Sequence, residues 1–187
     1  VMGDIKTVSG MSKTFVKDRP AVTRMTGLTA SAAADAPREP VDVDDATPFV
    51  CEFECGALGM FEATRFAQGH KNDMRLEVNG EKGSIRFEFE RMNELHYFSA
   101  GDEPGEQGWR MIQVTEGVHP YIQFWWPAGH VIGFPETFCH ELYEFVGHVA
   151  DGTDCCPNFE DGVKCAQILE AVELAIEQKG WVDVDSL

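Results

Sequence analysis

The chain has 187 residues, 43% apolar and 25% charged, a balance typical of a globular protein that buries a core rather than of a disordered one. Fifteen basic residues against 32 acidic ones leave a formal charge of −17, which repels phosphate backbones and anionic lipid heads and disfavours nucleic-acid and membrane-surface roles. No run approaches the roughly 20 apolar residues that span a bilayer, and Val1-Met2-Gly3-Asp4 lacks the basic start and apolar core of a signal peptide, so a cytoplasmic location is expected.

Asp4 to Val16, rich in Ile, Val, Thr and Phe, reads as a strand. Residues 17–40 lose that pattern: Lys17-Asp18-Arg19-Pro20 and Thr29 to Pro37 are small, polar and Pro-punctuated, a surface excursion before strand signals resume. From Val41 to about Thr115 the chain reads as sheet. Pro48 is expected at a strand start, where its missing N–H costs least. Phe49–Phe53 and Ala57–Phe66 flank the short turn Glu54-Cys55-Gly56.

The clearest hairpin follows. Met74, Leu76 and Val78 alternate with Arg75, Glu77 and Asn79; after Gly80-Glu81-Lys82-Gly83, Ile85, Phe87 and Phe89 alternate with Arg86, Glu88 and Glu90. Such alternation buries one face of each arm. Leu95–Phe98 and Arg110–Val114 make two further strands around the acidic loop Gly101–Gly108.

Two helices come next. In Pro135–Val149, an apolar stripe of Phe138, Leu142, Phe145 and Val149 is expected to pack on the sheet. In Phe159–Gln178, Cys165, Ile168, Leu169, Val172, Ala175 and Ile176 make a second stripe opposite Glu170, Glu173 and Glu177, and Gly180 closes the helix. Trp181–Val184 is a short last strand. Strands first and helices after, without βαβ alternation, predict an α+β fold: one large open, mostly antiparallel sheet with helices packed on one face.

Chemistry-bearing motifs are sparse. There is no Gly-x-Gly-x-x-Gly turn, P-loop or Gly-x-Ser-x-Gly elbow, so no nucleotide site is expected in these residues. His140, Glu144 and His148 fall at i, i+4 and i+8 of one helix face, but i and i+8 stand about 12 Å apart, too far to share one ion; a polar face on solvent or a subunit contact is the better reading. Cys51, Cys55, Cys139, Cys155, Cys156 and Cys165 show no paired zinc spacing and are expected to be reduced, so no metal is assigned. Phe124-Trp125-Trp126-Pro127-Ala128-Gly129-His130 is the most unusual stretch. Aromatic walls with a polar tip suit a sugar's CH-rich faces and hydroxyls, although a loop packing its Trp pair over a sheet edge has the same composition. Arg65, with His70, Lys71 and Asn72, forms a second polar cluster at a strand end.

The order of these segments carries a resemblance. Phe61-Glu62-Ala63-Thr64-Arg65-Phe66-Ala67-x-Gly69-x-Lys71-Asn72 precedes Leu76-Glu77-Val78-Asn79-Gly80-x-Lys82-Gly83-Ser84-Ile85; then come Trp125-Trp126-Pro127-x-Gly129-His130 and Pro157-x-Phe159-x-Asp161-Gly162 leading into Leu169-x-Ala171-Val172. Over nearly all 187 residues the chain resembles the carboxy-terminal domain of the Gfo/Idh/MocA (glucose-fructose oxidoreductase, inositol dehydrogenase) family. The resemblance implies a dihydrodipicolinate-reductase-like or glyceraldehyde-3-phosphate-dehydrogenase-like open sheet whose exposed face makes a homo-oligomer. It also implies a partner Rossmann domain holding NAD or NADP, and a sugar or polyol substrate.

The family's Glu-Lys-Pro and Asp-x-Gly-x-His motifs do not occur here, so no catalytic or cofactor-binding residue is carried over; Arg65, Asn72, Trp126 and His130 are the substrate-binding candidates. The expectation is a single substrate-side and oligomerisation domain spanning 1–187, with the Rossmann domain absent, and inactive on its own. The alternative is a stand-alone sugar- or partner-binding module that pairs with a separate Rossmann subunit; Val1 ahead of Met2 leaves both open.

Overall fold

The computed structural model describes residues 2–27 and 29–187; Val1, and Leu28 within the excursion, lie outside the described residues. Among the described residues twelve strands and two α-helices follow in chain order. They are β1 (Ile5–Gly10), β2 (Asp18–Pro20), β3 (Arg24–Thr26), β4 (Thr29–Ser31), β5 (Arg38–Pro40), β6 (Ala46–Phe53), β7 (Leu58–Thr64), β8 (Arg75–Gly80), β9 (Gly83–Glu88), β10 (Glu94–Ser99), β11 (Arg110–Gln113), α1 (Phe134–Asp151), α2 (Phe159–Gln178) and β12 (Val182–Asp183). All paired strands are antiparallel, which with the two helices is the expected α+β class. The main strands divide between two four-stranded sheets, β12-β1-β6-β7 and β11-β10-β9-β8, where one broad sheet was expected. The chain forms two compact units, one of residues 1–68 and 157–187 and the other of residues 69–156.

In the first unit, α2 lies on the sheet through a seam of small and β-branched residues. Val8, Cys51, Phe53, Ala171, Val172, Ala175, Val182 and Val184 form its core, with Ile168, Leu174 and Ile176 partly buried beside them. Two members of the expected stripe, Cys165 and Leu169, are exposed, because the buried face centres on Ala171 and Ala175, whose small side chains let the helix approach β1. Asn158 caps the helix by accepting from the Glu160 and Asp161 N–H groups, and Asp161 returns a bond to the Asn158 N–H, a reciprocal box at the N-terminus. At the other end the left-handed residue is Lys179 (φ 54°), not Gly180; the Gly180 N–H instead donates to the Ala175 carbonyl.

The excursion is a ladder arm: β2 pairs with β5 and β3 with β4, every residue of these strands exposed. Asp45, only 2% exposed, ties its root, accepting from the Phe15 and Val16 N–H groups at 2.7 and 2.8 Å and from the Arg19 guanidinium at 2.7 Å. Pro48 lies inside β6 rather than at its start, one residue beyond the last β1–β6 pair, Gly10↔Phe49, and its carbonyl accepts from the Met11 N–H. Gly59 is required by close approach: a Cβ there would stand 2.6 Å from Cys51 Sγ and 2.9 Å from the Phe53 ring.

In the second unit, the hairpin forms as read, its two-residue turn Glu81-Lys82 bracketed by the Gly80↔Gly83 pair. α1 departs from expectation. Its apolar stripe is exposed, with Phe138 at 50%, Leu142 at 60%, Phe145 at 54% and Val149 at 66%. Its polar face makes hydrogen bonds and a stack within the chain: Tyr121 stacks on His140 at 4.3 Å, Trp125 donates its indole N–H to His140 Nε2 at 2.7 Å, and Tyr121 donates its hydroxyl to Glu144 at 2.9 Å, while Phe134 at the helix start meets Phe89 and Tyr143 meets Phe124. The helix is thus oriented opposite to what amphipathicity alone predicts, because the segment preceding it supplies aromatic residues with polar tips that match imidazole and carboxylate. Among the described residues no helix is long and apolar enough to cross a membrane.

Candidate functional site

The Trp-rich segment is fixed from both ends. Asn93 receives the Ile132 N–H on Oδ1 and donates Nδ2 to the Ile132 carbonyl, at 2.9 and 2.7 Å, pinning the segment's exit to the start of β10. At its entry Ile122 is 6% exposed, while Tyr121 adopts a left-handed backbone (φ 66°) that a bulky side chain takes up only at a cost. Gly129 (φ 88°) makes the tight turn and gives its N–H to Thr115 Oγ1, a residue 2% exposed. The segment is therefore a fixed scaffold.

On that scaffold Trp126 is 73% exposed, and the His130 ring lies 6.3 Å from it, tilted by 35°. His130 Nδ1 is 2.7 Å from the Pro127 carbonyl, which only accepts, so Nδ1 carries the proton and, in the neutral ring, Nε2 is left as an acceptor. A flat apolar face beside one hydrogen-bond acceptor suits a polyhydroxylated ring. A cleft of about 390 Å³, which neither Trp126 nor His130 lines, is bounded mostly by apolar residues, among them Leu95, Val114, Ile122 and Ile132, with His119, Thr137 and His140 also lining it.

Of the four sequence candidates, the structure brings Trp126 and His130 together. Asn72 sits at the root of the β8–β9 hairpin, where its N–H donates to Glu90 at 3.0 Å. Arg65 belongs to the first unit, just past β7, its N–H on the Asp45 carbonyl at 2.8 Å and its side chain exposed. His140 and Glu144, read as a polar helix face, instead support the segment through Tyr121 and Trp125. His148 pairs with Thr153 Oγ1 at 2.8 Å, separately from them. Tyr121 and Thr115 have no spacing signature: the Tyr121 ring and hydroxyl meet His140 and Glu144, and Thr115 Oγ1 meets the Gly129 N–H, only once this segment without regular structure is folded.

The antiparallel strands and two helices match the C-terminal domain fold of Gfo/Idh/MocA oxidoreductases. Residues 11–184 match the family described as "Oxidoreductase family, C-terminal alpha/beta domain", and the chain is a member of that Gfo/Idh/MocA family. It is 33% identical over 189 residues to levoglucosan dehydrogenase of Pseudarthrobacter phenanthrenivorans, covering all of this chain and 48% of that protein. An oxidoreductase domain protein from Kribbella flavida superposes with a TM-score of 0.87 at 46% identity, over 96% of this chain and 46% of that one. Levoglucosan dehydrogenase in complex with NADH and L-sorbose superposes at 0.86 with 33% identity, over 97% of this chain and 46% of that one. The chain thus spans about half the length of the relatives it matches.

Proposed function

We propose that these 187 residues form the substrate-side half of an NAD(P)-dependent oxidoreductase acting on a sugar, polyol or similar hydroxyl compound. The observation that carries this reading is the full-length match to one half of levoglucosan dehydrogenase, whose structures are in complex with NADH and with levoglucosan or L-sorbose. In this reading the nicotinamide accepts the hydride and lies on a nucleotide-binding domain outside these residues. Trp126 presents its face to the ring carbons, and His130 Nε2 accepts a hydroxyl proton in a hydrogen bond, orienting the sugar without transferring hydride. Asn72 contributes a further polar contact. The outward face of the first sheet, where Leu58 and Met60 are 83% and 84% exposed, makes the homo-oligomer contact. Six unbridged thiols suit a reducing, cytoplasmic setting.

The test has two arms. Calorimetry of this chain with NAD⁺ or NADP⁺ is expected to show no saturable binding, and a micromolar dissociation constant would refute the division of labour. Joined to a family nucleotide-binding domain, the chain is expected to support sugar-dependent nicotinamide reduction. Trp126→Ala should raise KM about tenfold or more with a smaller change in kcat; an unchanged KM would remove Trp126 from the site.

A further inference from the structure

The root of the β8–β9 hairpin gathers charged side chains that the proposed substrate site does not use. The ladder pairs Arg75 with Glu88, and just past it the Phe89 N–H donates to the Met74 carbonyl, so Asp73, ahead of β8, and Glu90, in the 3-10 turn Phe89–Arg91 that follows β9, both lie at the root of the hairpin. The turn before β8 folds His70 back onto Asp73, with Nδ1 2.8 Å from Oδ2. One ligand atom from each of His70, Asp73 and Glu90 lies within 4.8 Å of the other two.

Two features of this cluster are unusual for a surface ion network. The Asp73 side chain is 6% exposed, and among the described residues its Oδ1 is buried without a hydrogen-bond partner, a desolvated group that a cation would satisfy. Glu90 is also held in advance: Oε1 accepts from the Lys71 and Asn72 N–H groups at 2.7 and 3.0 Å, which keeps its carboxyl ionised to lower pH than usual. Around them Arg75 is the paired cation, 2.7 Å from Asp73 and 3.4 Å from Glu88, so the carboxylates of Asp73, Glu88 and Glu90 outnumber it by two negative charges.

We propose that His70, Asp73 and Glu90 form a divalent-cation site. Two carboxylate oxygens and one imidazole suit a first-row ion of the manganese or zinc type. Ligands about 2.1 Å from one ion stand at most about 4.2 Å apart, so atoms within 4.8 Å of one another need to close by no more than about 0.6 Å. An ion held through Oδ1 would give that buried oxygen a partner and leave Oδ2 its bond to Arg75. The ion would brace the turn that carries Lys71 and Asn72.

Mn²⁺ titration of this chain, followed by loss of the free-ion paramagnetic resonance signal, tests the site, since this ion prefers oxygen and imidazole to the chain's thiols. One Mn²⁺ per chain is expected. Asp73→Asn and Glu90→Gln should each weaken binding at least about tenfold, while His148→Ala leaves it unchanged. Glu90→Gln keeps an amide oxygen for the Lys71 and Asn72 N–H groups, so the turn survives and the loss reports ligation. An undiminished free-ion signal with the wild-type chain, or equal binding by Glu90→Gln, overturns the proposal.

Discussion

Asp45 shows how much structure one carboxylate can organise. Hydrogen bonds from the Val16 and Phe15 backbone, with the Arg19 guanidinium, hold its carboxyl below the usual carboxylate range against the opposing effect of burial. A group whose folded pKa is depressed stabilises above its unfolded pKa, and that contribution is lost as pH falls through the folded value. The first unit should therefore lose protection at the root of the 17–40 arm on acidification below about pH 4. Hydrogen exchange at Phe15 and Val16 measures this. Asp45→Asn should abolish the pH step, because its amide does not titrate; a step that persists would assign it to another group. None of this was legible from sequence, since Asp45 lies about 30 residues from its partners and Asp-rich segments are ordinarily solvated.

At the scale of elements, the two helices make opposite use of amphipathicity. Replacing Val172, 4% exposed in the α2 seam, by Ala should cost about 2 kcal/mol. Leu142→Ser on the exposed stripe of α1 should change the stability of this chain by less than about 0.5 kcal/mol. Urea unfolding of the two variants compares them directly, and a loss at Leu142 equal to that at Val172 would mean that the stripe is covered. The hairpin, the Phe159–Gln178 helix and the antiparallel pairing were readable because period and turn chemistry are local signals. The division into two sheets was not, because alternation specifies which face is buried and leaves open which strand lies next to which. The orientation of α1 was hidden for a related reason: periodicity finds a stripe, and only the neighbouring aromatic segment decides which stripe turns inward. For the candidate site, the Trp126–His130 pair could be named from its composition, whereas Asp73 and Glu90 emerge only once the hairpin register is known.

At the scale of the whole molecule, the outward face of the first sheet is the candidate contact between copies. Val50 opposes Met60 and Glu52 opposes Leu58, so Leu58, Val50 and Met60 share one patch. Sedimentation is expected to show a dimer that Met60→Lys converts to monomer, since a buried unpaired charge costs several kcal/mol; a wild-type monomer would remove this contact. The hairpin of the second unit carries a different consequence. Because side chains alternate strictly between faces, its length is constrained by parity. Adding residues in matched pairs to β8 and β9 leaves Asp73 beside Glu90, whereas a single insertion in one arm moves one carboxylate away from the other. Variation between homologous proteins in this hairpin should therefore come in even steps wherever the charged root is retained, with odd steps confined to chains that have lost it.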